Sequence, residues 1–371
     1  MNVRMIRVLA IVLSFPFALL SWTHAEQPPP TALLVTMIQD PQVLSSQEDI
    51  VKLITFAKKA NVGTLYVQIY RANQAWFPSA FADSTPYAEC LKKVGQDPFA
   101  LLLKESHSQG LKVFAWFNTL SLSKNEKAPM LKKYGPGILT RNRNEKKTLG
   151  DYKIDNQYFL EPGDMRVRED LLNIVEEIVD RYPDLDGILF DYIRYPDVHP
   201  FYGYTQTNMA RFKKATGSTE INEKDQAWRR WKRDQVTALL QVLIKRARSV
   251  RPHLTVAAAG CVSYVRAYEE AFQDWPSWIK RDIVDFVVLM NYPPDIVEFD
   301  KNIKQAKEKV ADFTRVHMGV GAYKLLKTPH VFSQQLSSAK RSGTGECVIF
   351  HYGSLLESPE LGRVFTRGLE P

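Results

Sequence analysis

The chain has 371 residues, of which 45% are hydrophobic and 24% charged, with a formal net charge of +8. That is the composition of a globular protein with no low-complexity tract. Its basic residues are scattered, without zinc spacing, an RNP pattern or a helix-turn-helix signal, so nucleic acid is not an expected partner.

Residues 1–25 read as a secretory signal peptide. Arg4 and Arg7 supply the positive start, Val8 to Leu20 the apolar stretch, and Thr23-His24-Ala25 a small-residue cleavage site. The apolar run is short for a membrane span and contains Pro16. The mature protein is therefore expected to be secreted or periplasmic, with no membrane span after cleavage. Losing two arginines and no acid lowers the charge from +8 to +6, a modest excess that steers weakly toward an anionic polymer or surface. Residues 26–30, Glu-Gln-Pro-Pro-Pro, form a stiff linker. Residues 31–371 are long enough for one large barrel.

Eight apolar, β-branched or aromatic runs of strand length follow, at 32–38, 64–70, 112–117, 187–192, 254–259, 284–291, 316–322 and 346–352. Several lack a polar residue in the middle, as strands covered on both faces do. Helical patterns alternate with them. One at 46–59 opens on Ser46-x-x-Asp49, a capping-box-like start. Others lie at 98–108, at 166–182 with Leu171, Ile174, Val175, Ile178 and Tyr182 on one face, and at 225–250. Weaker ones fit 268–280, 301–312, 329–340 and 358–366. Strand–helix alternation repeated eight times predicts an α/β fold, a single (β/α)8 TIM barrel. No glycine-rich dinucleotide fingerprint follows the first strand. The third connection, 119–165, is a long insertion rich in Lys and Arg and is expected to pass over the top of the barrel as a lid or binding loop.

The segment Asp186-Gly187-Ile188-Leu189-Phe190-Asp191-Tyr192-Ile193-Arg194-Tyr195-Pro196 stands out. It is an apolar strand with a carboxylate at each end, then two tyrosines and an arginine. Barrel enzymes build active sites at the C-terminal strand ends, while the N-terminal ends serve stability. Asp186 thus belongs to the stable face and Asp191 to the active one. Other strand ends and the loops after them supply Tyr70, Arg71, Trp76, Asn118, Asn291, Tyr292, Tyr323, His351 and Tyr352. With Tyr192, Arg194 and Tyr195, they form a set of aromatic, amide and guanidinium groups suited to sugar faces and hydroxyls. Glycoside hydrolysis usually needs two carboxyl groups. Asp191 is the first; Glu161, Glu269 and Asp295 all qualify by position as the second. Arg71 and Arg194 are expected to hold the carboxylates ionised or to bind substrate.

Cys90, Cys261 and Cys347 are too far apart for metal or thioredoxin spacing. Their odd number leaves at least one free or paired between chains, and Cys261 and Cys347 read as buried small hydrophobes. His107, His199, His253 and His317 read as structural or surface residues without metal-ligand spacing. No metal or organic cofactor is expected, and no Gly-x-Ser-x-Gly elbow is present.

Several segments in order resemble glycoside-hydrolase-like family 10, a family of bacterial secreted barrels. They are Val67-Gln68-Ile69-Tyr70-Arg71 with Trp76-Phe77-Pro78-Ser79; Asp97-Pro98-Phe99 with His107 and the run Gly110 to Asn118; and Pro162-Gly163 with Val167-Arg168 and the run Asp186 to Pro196. Val284-Asp285-Phe286 with Asn291-Tyr292 completes the set. The resemblance implies a carbohydrate-active barrel that cuts bacterial polysaccharide, at least one kind of member acting on peptidoglycan glycan strands stripped of their peptides. It also implies that the strand-four carboxylate, Asp191, is the nucleophile. Two positions depart from the pattern. Glu161 stands where the family more often has Asn or Asp before Pro-Gly, and Asp191-Tyr192 replaces a common Asp-Asp pair. The expected function is a glycoside hydrolase acting on a bacterial glycan. The alternatives are a non-catalytic glycan-binding barrel, and a transglycosylase or lyase on the same scaffold.

Overall fold

The structure is a computed structural model that describes residues 29–222 and 224–367. The expected signal peptide, 1–25, and most of the linker lie outside the described residues. Among the described residues no helix is long and apolar enough to cross a membrane.

Eight parallel strands close into a barrel: β1 (Thr31–Val35), β2 (Val62–Arg71), β3 (Lys112–Asn118), β4 (Gly187–Asp191), β5 (Thr255–Cys261), β6 (Phe286–Met290), β7 (Val316–Gly321) and β8 (Cys347–Phe350). Each pairs with the next, and β8 returns to β1, so no edge is left open. All eight strand runs of the sequence are found, shifted by a few residues at most. Period-two alternation divides each strand between two cores. Ala32, Leu34, Tyr66, Phe114, Trp116, Leu189, Ala257, Ala259, Val288 and Val348 fill the barrel interior. Leu33, Val35, Ile188, Phe190, Val256 and Ala258 face the helices instead.

Large and small residues are matched across the interior. Gly187 lies opposite Phe114, and a Cβ on Gly187 would sit 2.3 Å from the Phe114 ring and 2.5 Å from the Thr255 carbonyl. This glycine is required by close approach, not by its φ.

The N-terminal face is tied by carboxylates. Asp186 accepts from Val113 N at 2.7 Å and bonds His107 Nε2 at 2.9 Å. Asp285 repeats the device before β6, accepting from Val256 N at 2.6 Å and pairing with Arg248. Deeper in the floor, Glu346 pairs with His317 at 3.1 Å and accepts from Thr64 (2.7 Å) and Tyr66 (2.9 Å). Asp186, His107 and His317 are thus structural, as their sequence positions suggested.

Helices cover the outside. Gln47–Lys59 starts where Ser46 accepts from Asp49 N, and Pro98–Ser108 and Gln226–Val250 are capped by Asp97 and Asp225. The expected helix at 268–280 is instead two short ones, Tyr264–Glu269 and Trp275–Lys280. The break holds Phe272 at φ +53 and the buried Gln273. The Gln273 amide accepts from Cys261 N and donates to Ala259 O, both at 2.8 Å, stitching the break to the end of β5. The helix expected at 301–312 starts earlier, at Ile296, because Asp295 caps it directly after Pro293-Pro294.

The connection 119–164 also differs from expectation. Its apolar residues Leu120, Leu122, Met130, Leu131, Ile138 and Leu139 are buried in the outer core. Ser121–Ser123 pairs with Tyr158–Phe159 as a small ribbon. It packs on the flank of the barrel and contributes no residue to the central cleft described below.

Two outcomes follow. Gly187→Ala should lower stability by about 1–3 kcal/mol through overpacking, read as a fall in the thermal midpoint. In the floor, burial by itself would raise the Glu346 pKa, but His317, Thr64 and Tyr66 outweigh it and set it below its ordinary 4.5. Its stabilisation is therefore complete above pH 4.5 and is lost as pH falls through the folded value. Glu346→Gln should cost about 1–3 kcal/mol at pH 7. In a thermal-midpoint series from pH 7 to pH 3, that gap should close; a constant gap would show that ionisation of Glu346 contributes nothing.

Candidate active site

The C-terminal strand ends open into a cleft of about 670 Å³. Asp191, the last residue of β4, stands in its wall and is only 6% exposed. Its Oδ2 accepts from Trp116 Nε1 at 3.1 Å and its Oδ1 from Tyr192 N at 2.6 Å. Arg194 Nη1 approaches the same Oδ1 at 3.5 Å. The turn that brings Tyr192 N–H onto the carboxylate holds Tyr192 at φ +52, in the left-handed region that a tyrosine seldom adopts. Such backbone outliers cluster at functional sites.

Arg194 is 7% exposed and lies between two carboxylates, with Asp197 Oδ1 at 3.8 Å from its Nε. Its guanidinium also covers the Tyr192 ring at 4.3 Å. Burial would lower the Arg194 pKa, but Cys261, Asp197, Asp191 and Tyr192 together raise it. Arg266 closes the chain of charges, meeting Asp197 at 2.8 Å. Cys261 lines the same wall, and burial pushes its thiol up to about 11. It is therefore a protonated wall residue at neutral pH and not a thiolate nucleophile. All three cysteines are free and buried.

Opposite lies an aromatic wall. Tyr292 stacks on Phe350 at 5.3 Å, Tyr323 meets both rings edge-on, and Phe350 meets Trp116 edge-on at 6.0 Å. Tyr292 fits because β7 presents glycine; a Cβ on Gly321 would lie 2.8 Å from the Tyr292 Cβ. Burial first, and Asp191 second, push the Tyr292 hydroxyl well above its ordinary range, so it remains a neutral donor. Gln68 and Asn118 complete the floor, Gln68 Nε2 donating to Asn118 Oδ1 at 3.2 Å.

Of the residues singled out from sequence, the cleft brings together Asp191, Arg71, Asn118, Tyr192, Arg194, Tyr292 and Tyr323. The others lie outside its lining. Glu161 is fully buried and receives a hydrogen bond from Tyr195; burial raises its pKa against that bond. Tyr195 is thereby turned away from the cleft. Asp295 is spent on its helix cap, accepting from Glu298 N at 2.7 Å. Glu269 pairs with Arg229 at the outside. Tyr70 stacks on Phe117 at 4.3 Å in the outer core, where Trp76 is also buried. Asn291 is held by Phe299 O and Asn302. Tyr352 packs on Phe56, and the half-buried His351, its pKa lowered by burial, packs beside Phe350.

Sequence reasoning missed Gln68, Trp116, Asp197, Cys261, Arg266, Glu298 and Phe350, all of which line the cleft. Alternation along the strands carried a signal for one of them. Trp116 lies two residues before Asn118, the end of β3, and the residue at i−2 shares the face of residue i; Gln68 gave none, because β2 shifts register between it and Tyr70. Asp197, Arg266 and Glu298 come from loops and first helical turns, where no such periodicity operates.

Two curated relatives are similar over most of this chain. Glycosyl hydrolase DigH of Escherichia coli (strain K12) is 24% identical over 314 residues, covering 75% of this chain and 66% of DigH. Glycosyl hydrolase YngK of Bacillus subtilis (strain 168) is 23% identical over 270 residues, covering 67% of this chain and 50% of YngK. The chain thus spans less than two thirds of the length of either. Among solved structures, the catalytic domain of the beta-amylase from Paenibacillus polymyxa superposes with a TM-score of 0.61 at 11% identity. That match covers 92% of this chain and 97% of the other. A beta-galactosidase from Bacillus circulans sp. alkalophilus gives 0.58 at 12% identity, over 92% of this chain and 57% of the other. At these identities the likeness is one of fold. The model of the family described as Glycosyl hydrolase-like 10 matches residues 33–338, and the chain belongs to that family.

Proposed function

We propose that the protein is a glycoside hydrolase that cleaves a bacterial polysaccharide, with peptidoglycan-type glycan strands as the substrate. The observation that carries this reading is Asp191. It is a desolvated carboxylate at the C-terminal end of a barrel strand, with both oxygens oriented by donors and an aromatic wall across the cleft. Membership of a glycosyl hydrolase-like family supports it. Residues 1–25 favour a secreted or periplasmic location, where such a polymer is found.

In this reading Asp191 attacks the anomeric carbon or stabilises an oxocarbenium-like transition state. Trp116 and Tyr192 N–H fix its orientation, so little reorganisation is left for the reaction itself. The second carboxyl group must face the same cleft. Asp197 and Glu298 do so. Asp197 is engaged by Arg194 and Arg266, whereas Glu298 makes no ion pair among the described residues and is exposed at the mouth. Glu298 is therefore the residue we assign as proton donor and acceptor, in place of Glu161 and Asp295. Two carboxyl groups can do this chemistry without a metal or an organic cofactor. The aromatic wall receives the apolar faces of sugar rings, and Gln68, Asn118 and Tyr292 offer hydrogen bonds to hydroxyls.

The deciding assay is release of new reducing ends from peptide-stripped peptidoglycan strands. Asp191→Asn should abolish release; it also takes one of two counter-charges from the buried Arg194, so the thermal midpoint should fall, and release is scored per folded molecule. Glu298→Gln should slow it by about 10²–10⁴-fold, the usual contribution of general acid–base catalysis. Glu161→Gln should act differently. It alters a buried, hydrogen-bonded carboxyl group outside the cleft, so the thermal midpoint should move while the rate per folded molecule changes by less than about tenfold. Undiminished release by Asp191→Asn would overturn the reading. Full activity in Glu298→Gln together with loss in Glu161→Gln would return the acid/base role to Glu161.

A further inference from the structure

The charges in the cleft are divided unevenly. Four basic side chains line it, Arg71, Arg194, Arg266 and Lys324, against three acids, Asp191, Asp197 and Glu298. On the β4–β5 side, two arginines and two aspartates form one chain of ion pairs, Asp191–Arg194–Asp197–Arg266. Glu298 follows β6, across the barrel from β2. Arg71, the last residue of β2, therefore stands apart.

Among the described residues, its one side-chain hydrogen bond runs from Nη2 to Ser123 Oγ, at 3.2 Å, and no carboxylate is close enough to pair with it. The guanidinium is nevertheless partly withdrawn from water, and burial lowers its pKa. An arginine in such a setting keeps its charge. A partly desolvated cation with no counter-ion is unfavourable, and that cost is recovered when an anion binds.

The backbone around Arg71 is fixed in advance. It is followed by Ala72 and Asn73, both at positive φ (55° and 57°), and the chain reverses so that Arg71 pairs with Gln74. The 119–164 connection clamps this turn. Asn125 Nδ2 donates to Ala72 O at 2.8 Å, and Met130 N donates to the buried Asn73 Oδ1 at 2.9 Å. Little motion is needed to present the guanidinium, and a pre-positioned donor binds more tightly than a flexible one.

We propose that Arg71 is the receptor for a carboxylate carried by the sugar substrate, so that the cleft selects an acidic glycan over its neutral counterpart. This rests on the glycan reading of the cleft given above. A guanidinium edge matches the two oxygens of a carboxylate. One negative charge matches the single excess positive charge of the lining.

The test uses peptide-stripped glycan strands in two forms, native and with their carboxylates reduced to alcohols. Binding of both is measured by calorimetry with the full chain carrying Asp191→Asn, so that no cleavage intervenes. The native form should bind roughly tenfold more tightly, the worth of one charge-assisted hydrogen-bond pair. Adding Arg71→Gln should bring the ratio of the two dissociation constants to about one. Adding Arg71→Lys, which keeps the charge, should retain part of the preference, and it serves if the glutamine variant does not fold. Equal binding of both forms by Asp191→Asn, an undiminished ratio in Arg71→Gln, or no binding of either form would each overturn the proposal. Reducing-end release by the unaltered protein is scored separately. No release together with an Arg71-dependent ratio would remove the hydrolase reading and keep carboxylate recognition; release without such a ratio would do the reverse.

Discussion

A guanidinium 7% exposed to solvent, held between Asp191 and Asp197, is the constraint around which the cleft is arranged. Removing an ion from water costs several kcal/mol even after relaxation, and attraction between partners offsets this only if their geometry is held. Arg194 and both aspartates lie within seven residues of one another on a single loop, so that loop must not move. Its fixation explains features that are otherwise odd. Tyr192 accepts a left-handed φ so that its N–H reaches Asp191. Thr119 N–H holds the Asp191 carbonyl at 2.7 Å. Tyr195 N–H bonds Ala271 O at 2.9 Å, inside the helix break. Gln273, from the same break, reaches both the end of β5 and Ile193 O.

Glu161 fits the same logic. It stands where the chain returns to the top of the barrel before a helix, which made it a candidate acid. The structure instead points it inward, under the Asp191 loop, where it receives the Tyr195 hydroxyl. A buried acid needs a partner, and Tyr195 is itself fully buried with a hydroxyl to satisfy. Tyr195 satisfies one Glu161 oxygen, and together they fasten the loop while Gln273 fastens it through Ile193 O. A carboxyl group expected on the active face of a barrel can therefore be drawn beneath the loop after β4, outside the lining of the cleft.

The barrel was legible because its signals are local and repeated. Each strand is a short apolar run, and alternation with helices leaves few ways to close the sheet. Asp191 was legible for a related reason, since a carboxylate ending an apolar strand is placed by the strand alone. Where a side chain's direction depends on loop geometry, the sequence was less informative. Tyr70 and Tyr195 read as cleft aromatics, but the pairing of β2 with β3 shifts register between Gln68 and Tyr70, and Tyr70 turns into the outer core. The helix Gln206–Thr216 did leave a signal, with Thr205 as its cap and Gly217 at its end in a left-handed conformation. It sits in a stretch of low hydrophobicity where apolar periodicity, the guide used for the other helices, is weak.

The 119–164 connection shows how length and charge mislead about position. A long basic excursion at the active face suggests a lid, yet its lysines turn outward, Lys133 to Asp170 and Lys153 to Glu126, while its leucines and Met130 join the outer core. It acts on the cleft by support. Through Asn125 and Met130 it fixes the Ala72–Asn73 turn, and through Ser123 it meets the Arg71 guanidinium. A lid would control access to the site by opening and closing. A buttress of this kind sets the position of one cation at the cleft edge, so changes within the connection act on recognition through Arg71 without any of its own residues lining the cleft.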